Sequence, residues 1–223
     1  MSWFLTLEGL DGSGKTTQSR LLRKFLDEAG HPAFFTREPG GTELGERLRA
    51  ITLPKQAGSI EPVAEALLMS AARAQLVTQE IRPRLALGEP VVCDRFYDST
   101  LAYQGYGRGL SLEGLRNVTL FAVGGLTPNL TILLDIPIEE AARRKKPERQ
   151  QSAQMPSQGP TNFFDVIDME FRQRVRQGYQ DMAAEEPERW LVVDAAKPER
   201  VVHEQIRTAV SQLWRRGGHP CRT

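Results

Sequence analysis

The stretch Gly9-Leu-Asp-Gly-Ser-Gly-Lys-Thr16 meets the pattern G-x-x-x-x-G-K-[ST] in full. An apolar run (Trp3 to Glu8) precedes it and a helix-like segment, KTTQSRLLRKFLDEAG, follows. No other feature restricts the fold so tightly. Glycines let the loop double back so that successive backbone N–H groups face inward, and the helix beginning near Lys15 adds the positive end of its dipole. A concave row of donors of this kind suits phosphate oxygens. In that setting Lys15 bridges the β and γ phosphates of a nucleotide, and the Thr16 hydroxyl holds Mg2+.

The rest of the chain alternates strand and helix. After the first strand and its helix, whose apolar residues Leu21, Leu22, Phe25, Leu26 and Ala29 share one face before a Gly30 cap, PAFFTRE reads as a second strand ending in the turn PGGT. A long helix is predicted over Ile60 to Ala86, loosened near Pro83. EPVVCDRF, LTILLDI and RWLVVDA are three further strands, each an apolar run that ends near an aspartate. Helices are predicted over Leu112–Ala122, Glu139–Arg144, Asp165–Ala184 and Glu199–Trp214. This alternation predicts an α/β fold, a five-stranded parallel sheet with helices on both faces, in one domain spanning 1–214. Ligands of such folds bind at the carboxyl ends of the strands. Lys146 to Asn162, rich in Gln, Ser and Pro, reads as a mobile loop, and the last residues, RRGGHPCRT, as a flexible tail over 215–223.

Composition narrows the function classes. Lys and Arg number 29 against 28 for Asp and Glu, so no overall basic field recruits nucleic acid or an anionic membrane. Cys93 in PVVCD and Cys221 in the tail do not suggest a disulfide framework, and His31, His203 and His219 show no zinc spacing. No apolar run approaches the ~20 residues of a membrane span, and MSWFLTLEG is not a signal peptide. The cytoplasm is the expected compartment. A GTPase would need N-K-x-D, which is absent, and motor ATPases are much longer. A 223-residue chain with the cradle at residue 9 fits a small-molecule kinase.

The acceptor is indicated by VVCDRFYDSTLAYQGYGRG. Asp94 at the end of the third strand could reach the Mg2+ shell while Arg95 pairs bidentately with a phosphate. A solvated Asp-Arg pair is the plainer reading of those two residues alone. Ser99, Thr100, Tyr103 and Gln104 add polar tips suited to a sugar and a base.

The run Val92 to Gln104 resembles the signature of the thymidylate kinases, members of the P-loop nucleoside monophosphate kinases. FFTREPGGTELGE (Phe34 to Glu46), LLMSAARAQLV (Leu67 to Val77), EGLDGSGKTTQ and VVDAAKPERVV (Val192 to Val202) resemble further blocks of that family in the same order. The resemblance implies transfer of the γ-phosphoryl group of ATP to dTMP, with Mg2+, giving dTDP and ADP. It implies ATP contacts from Gly9, Leu10, Asp11, Gly12, Ser13, Gly14, Lys15, Thr16, Thr17, Arg143 and Ala195. It implies that Arg95 holds the acceptor's phosphate, with Arg73 supporting phosphate or base and Asp11 near the sugar and Arg95. By the same resemblance Arg37 and Pro39 are expected to line the acceptor pocket, Ser99, Thr100 and Gln104 to read the thymine edge, and Tyr103 to favour a sugar without a 2′-hydroxyl. A small lid over about 143–168 and a homodimer are implied as well.

The sequence departs from the family in three places. Met69 stands where a phenylalanine commonly stacks on thymine; its thioether can lie against the ring, or the residue is simply core. The family branch with glycine at position 12 supplies arginine from a D-R-x-[ED] segment of the lid. Here that segment is Asp165-Val-Ile-Asp168, with Val166 in the arginine's place. The replacement charge is expected from Arg143, Arg144 or Arg149, of which Arg143 or Arg144 could instead pack on adenine or face solvent. The third departure is the long insertion in the lid. These departures motivate two rivals to a dTMP kinase: a monophosphate kinase whose base preference has shifted toward dUMP, and a nucleotide-binding protein with weak catalysis.

Overall fold

The structure, a computed structural model, describes residues 2–52, 60–144 and 163–215, with only the backbone of 163–168. Arg149, the segment Lys146 to Asn162 and the tail residues 216–223 lie outside the described residues. Five strands, β1 (Phe4–Glu8), β2 (Phe34–Arg37), β3 (Val91–Asp94), β4 (Leu130–Asp135) and β5 (Trp190–Asp194), pair in the order β2-β3-β1-β4-β5. Every pairing is parallel. The α/β reading of the sequence therefore holds. The central strand is buried along its whole length, as a strand covered on both faces must be.

Alternation along the strands sorts the core into two layers. Phe4, Val91 and Cys93 pack with Leu76, Val77, Ile81 and Phe96 on one side of the sheet. Leu5, Leu7, Val92, Ile132 and Val193 join Leu22, Leu26, Val175 and Ile206 on the other. Successive side chains of a strand point to opposite faces, so one apolar run serves both layers.

The helices are α1 (Lys15–Glu28), α2 (Glu43–Thr52), α3 (Pro62–Leu76), α4 (Arg82–Ala86), α5 (Tyr97–Thr100), α6 (Leu112–Val123), α7 (residues 138–144), α8 (Phe163–Glu185) and α9 (Glu199–Arg215). The expected long helix is α3 and α4 joined by a wider π-helical turn, Val77–Ile81. There the Arg82 N–H bonds to the Val77 carbonyl, five residues back. The irregularity falls just before Pro83, which has no N–H to continue the ladder. A second π-helical turn, Leu101–Gly107, follows α5 and carries Tyr103 and Gln104. Neither α2 nor the α5 segment was anticipated from sequence. Gly40, Gly41 and Gly45 mask the first, and the second is four α-helical residues running into a glycine-bearing turn.

One buried ion pair fixes α5 against the far half of the sheet. Arg189, just before β5, donates from Nη1 to Asp98 Oδ2 (2.8 Å) and from Nη2 to Asp98 Oδ1 (3.0 Å). Nη1 also donates to Thr131 Oγ1 on β4 (2.8 Å). Burial raises the Asp98 carboxyl above its usual range despite the guanidinium. Among the described residues no helix is long and apolar enough to cross a membrane.

Breaking a buried pair leaves the surviving charge without compensation. Arg189→Met is therefore expected to cost about 3–5 kcal/mol in urea unfolding at neutral pH. A loss below about 1 kcal/mol, the range of exposed pairs, would show that solvent reaches Asp98.

Candidate active site

The carboxyl ends of β1, β2 and β3 lie side by side, since Leu7 and Arg37 both register with Asp94. The glycine-rich loop springs from the central strand into α1. Gly14 caps that helix with φ 98°, and Gly12 has φ 87°. A Cβ at Gly12 would stand 2.6 Å from the Ala141 carbonyl oxygen, so that position excludes any side chain. Lys15 Nζ donates to the carbonyls of Gly9 (3.0 Å) and Leu10 (3.1 Å). Burial, reinforced by Arg95, lowers the Lys15 ammonium to about 8 against the opposing pull of Asp94, Asp11 and Glu8.

A cleft of about 640 Å3 opens over this loop. It is lined by the stretch Asp11 to Gln18, by Arg37, Glu38, Arg49, Asp94, Arg95 and Arg144, and by Ala195, Lys197, Glu199 and Val202. Among the described residues six basic side chains thus border it (Lys15, Arg37, Arg49, Arg95, Arg144 and Lys197), as suits a polyanion. Gly9 and Leu10 support the loop through the carbonyls that hold Lys15. Thr16 and Asp94 also share a smaller side cavity, and Asp94 Oδ1 is buried without a partner among the described residues. An unpaired carboxylate oxygen beside a hydroxyl suits a hard cation.

A second cavity, of about 170 Å3, adjoins the first. Asp11, Glu38, Pro39, Glu65, Met69, Arg73, Arg95, Ser99, Thr100, Tyr103 and Gln104 line it. The structure therefore gathers nine of the ten expected acceptor residues in one place. The tenth, Arg37, borders the large cleft instead and pairs there with Glu46 through Nη2 (3.0 and 3.1 Å). Asp11, Glu38 and Arg95 line both cavities and mark their junction.

Arg95 is built for that junction. Among the described residues it alone, apart from glycines, has a positive φ, 74°, a conformation costing on the order of 1–3 kcal/mol for such a residue. Its backbone is held by N–H donation to the Leu7 carbonyl (3.0 Å) and by the Cys93 thiol on its own carbonyl (3.0 Å). Its guanidinium donates to Asp11 Oδ1 (2.8 Å), Ser99 Oγ (3.0 Å), Tyr103 Oη (3.1 Å) and Tyr179 Oη (3.2 Å). Burial opposes its charge, but Tyr103, Tyr179, Asp11 and Glu8 more than offset this and raise its pKa.

Glu8 lies beneath. Its carboxylate accepts from the Phe96 N–H (2.7 Å), the Ser99 hydroxyl (2.6 Å) and the Tyr179 hydroxyl (2.9 Å), in full burial. Burial, with Asp98 adding to it, pushes this carboxyl up to about 7. Sequence reasoning had assigned Glu8 no role; its only signal was a charge ending an otherwise apolar strand. The Ser99 hydroxyl, expected at a base, is committed to this network. Thr100 Oγ1 accepts from Arg73 Nη2 (3.0 Å), while Arg73 Nε donates to Glu38 Oε2 (2.8 Å).

Of the three candidate replacement arginines, Arg144 borders the cleft. Arg143 is not among the cleft's lining residues; it is largely exposed and pairs with Glu140, and Arg149 lies outside the described residues. Arg49, which also borders the cleft and donates to the Pro39 carbonyl (2.9 Å), was missed.

Chemically, two polyanions can meet end to end at Arg95. The family model described as thymidylate kinase matches residues 7–206. A thymidylate kinase of Deinococcus radiodurans is 50% identical, covering 94% of this chain and 96% of its own. One from Desulfovibrio desulfuricans is 46% identical, over 96% and 98%. The crystal structure of thymidylate kinase from Ehrlichia chaffeensis superposes with a TM-score of 0.74 at 33% identity, over 94% of this chain and 98% of that one.

Below pH 7 Glu8 gains a proton and gives up part of its acceptor capacity, which loosens Ser99 and Tyr179 under Arg95. In a kinase assay, kcat/KM for a monophosphate acceptor is therefore expected to fall with a midpoint near 7, beyond the limb near about 6 set by the acceptor's own phosphate. Glu8→Gln should keep the latter limb and lose the former, with a KM raised about tenfold, the scale of one charged hydrogen bond. An unchanged profile would remove Glu8 from the site.

Proposed function

The chain belongs to the thymidylate kinase family and phosphorylates dTMP to dTDP, and on that footing we propose how its residues divide the work. ATP is the donor and lies in the large cleft, its phosphates on the backbone N–H groups of residues 11–17. dTMP occupies the smaller cavity, with its phosphate on Arg95 and its base between Pro39, Met69, Arg73 and Gln104. The observation that carries this reading is the junction: the two cavities share Asp11 and Arg95, so two phosphate chains placed in them meet there.

A phosphate oxygen of dTMP attacks the γ phosphorus, the bond from that phosphorus to the β,γ-bridging oxygen breaks, and ADP leaves with the electron pair. The acceptor oxygen is already ionised, so no general base is needed, and the protein's contribution is alignment and positive charge. Lys15 leaves the loop carbonyls for the β and γ phosphates, which restores a full ammonium to a group that burial had weakened. Thr16 and Asp94 are the residues to hold Mg2+, which when bound neutralises charge on the β and γ oxygens.

Met69 lines the acceptor cavity, half-buried, and so serves as the apolar wall against the base. Neither the comparisons nor the cavity favours the two rival readings. A homodimer is supported by an apolar face that the monomer leaves uncovered: Leu44 and Ile51 on α2, Val63 and Leu67 on α3, and Leu120 and Phe121 on α6. The three helices carrying them pack side by side.

ADP release with ATP and Mg2+ across dTMP, dUMP, dCMP, dGMP and AMP tests the assignment, with fast release expected for dTMP. Of the lid arginines, Arg144 supplies the charge lost at Val166. Arg144→Ala is expected to lower kcat by about 10³-fold, the lower end for arginines aimed at a transferring phosphoryl group, with little change in the KM for dTMP. Arg143→Ala should stay within about twofold, as for an exposed ion pair. The reverse ranking would assign the role to Arg143.

A further inference from the structure

Three residues of α3 line the acceptor cavity at four-residue spacing, Glu65, Met69 and Arg73, and therefore share one face of the helix. Met69 and Arg73 face the base in the reading above. A carboxylate repels the substrate's phosphate, so Glu65 is unsuited to hold that group. Its contacts are with two neighbours instead. Glu65 Oε1 accepts from Gln104 Nε2 (2.9 Å) and Oε2 accepts from Arg108 Nη2 (3.1 Å).

We propose that Glu65 is a positioning residue that sets base specificity by fixing which end of the Gln104 amide is offered to the base. The two ends of a glutamine amide are alike in shape and opposite in hydrogen-bonding sense. A carboxylate can pair only with the NH2 end. Gln104 is buried, so the amide has little room for other partners. With an amide N–H held by Glu65, the carbonyl end is turned away from the carboxylate, and it is the acceptor offered to a ligand. Arg108 on the second oxygen anchors the carboxylate from the far side.

The neighbouring position has the opposite sense. Arg73 is 3% exposed, and its Nη1 is a buried donor with no partner among the described residues. Nε and Nη2 are taken by Glu38 and Thr100. The cavity wall thus presents a donor, Arg73 Nη1, together with an acceptor, the Gln104 carbonyl. Thymine and uracil present the complement, a 4-carbonyl acceptor beside an N3–H donor. Cytosine presents a 4-amino donor beside an N3 acceptor, so both contacts are mismatched. Leaving buried polar groups unpaired is how a site rejects a close analogue by large factors. The C5 methyl group is not read by this device, so Glu65 sorts carbonyl from amino pyrimidines and leaves dTMP against dUMP to other contacts.

The inference rests on the placement of the base at Gln104, and the test separates the two. Glu65→Gln keeps length and shape but can donate to Gln104, which frees its amide to turn over. Expected is a fall of at least about tenfold in the dTMP-to-dCMP ratio of kcat/KM, the scale of one charged hydrogen bond. It should arise in KM rather than kcat, with the dTMP-to-dUMP ratio unchanged. Glu65→Asp retains an acceptor-only group and should keep the dTMP-to-dCMP ratio within about threefold, the context scatter of a retained contact. Gln104→Ala is the control. If it collapses the ratio while Glu65→Gln does not, Gln104 reads the base without help from Glu65 and the proposal fails. If Gln104→Ala leaves the ratio intact, the base is not read there and both the proposal and the base placement fail. Should Glu65→Gln unfold, as thermal melting would reveal, Arg108→Met, which loosens the carboxylate from outside the cavity, must lower the same ratio by at least about twofold or the proposal is overturned.

Discussion

A buried carboxylate under a partly buried guanidinium organises this molecule. Glu8 ends the central strand and Arg95 follows the strand beside it, and the two are bridged by the hydroxyls of Ser99 and Tyr179. Taking either charge out of water is expensive unless its hydrogen-bonding capacity is met. Here Glu8 has three donors and Arg95 four acceptors from side chains. The network draws on β1, the segment after β3, α5 and α8, so the fold must close completely before the site exists. It also accounts for the positive φ of Arg95. Strain at one residue persists because several independent contacts determine its position.

The parallel sheet supplies the frame in which this is possible. Because the ends of β1, β2 and β3 are level, the phosphate loop, the Glu38–Pro39 turn and the Asp94–Arg95 pair emerge at one rim. The smaller cavity then forms between that rim and the face of α3, whose Arg73 is tied back to the Glu38 carboxylate. Glu38 is itself raised in pKa by burial, against the pull of Arg73, so its charge depends on that guanidinium. Among the described residues, Asp94 Oδ1, Arg73 Nη1 and Glu38 Oε1 are left at this rim buried and without partners.

Legibility in the sequence followed how local each signal was. The phosphate loop, the strands and the helices α1, α6, α8 and α9 rest on contiguous patterns, and each lies where the pattern put it. The acceptor residues from Ser99 to Gln104 were visible as a cluster of polar tips. Glu8, Glu65, Arg49 and Tyr179 were not, because their roles come from partners far along the chain. Tyr179 meets Glu8 across 171 residues, and Gln104 meets Glu65 across 39. A charge at the end of a strand or on a helix face reads as solvated until the opposite element is known. Nor does a sequence pattern reveal a π-helical turn, although Leu101–Gly107 is what brings Tyr103 and Gln104 to the cavity.

An arginine cannot stand within the loop at position 12, because a Cβ there would meet the Ala141 carbonyl at 2.6 Å. That close approach has a second consequence. It brings the first part of α7 down onto the loop, and Arg144 stands one turn beyond Ala141 and borders the cleft. The contact that forbids a side chain at Gly12 is thus the contact that delivers a basic residue from the neighbouring helix. Arg144 is held by Glu140, one turn back on the same helix, through Nε at 2.9 Å. Among the described residues only Nε of this guanidinium is engaged. A side chain excluded from the loop by sterics is thus matched by a basic residue at the cleft's border on α7, in a segment separate from Asp165–Asp168.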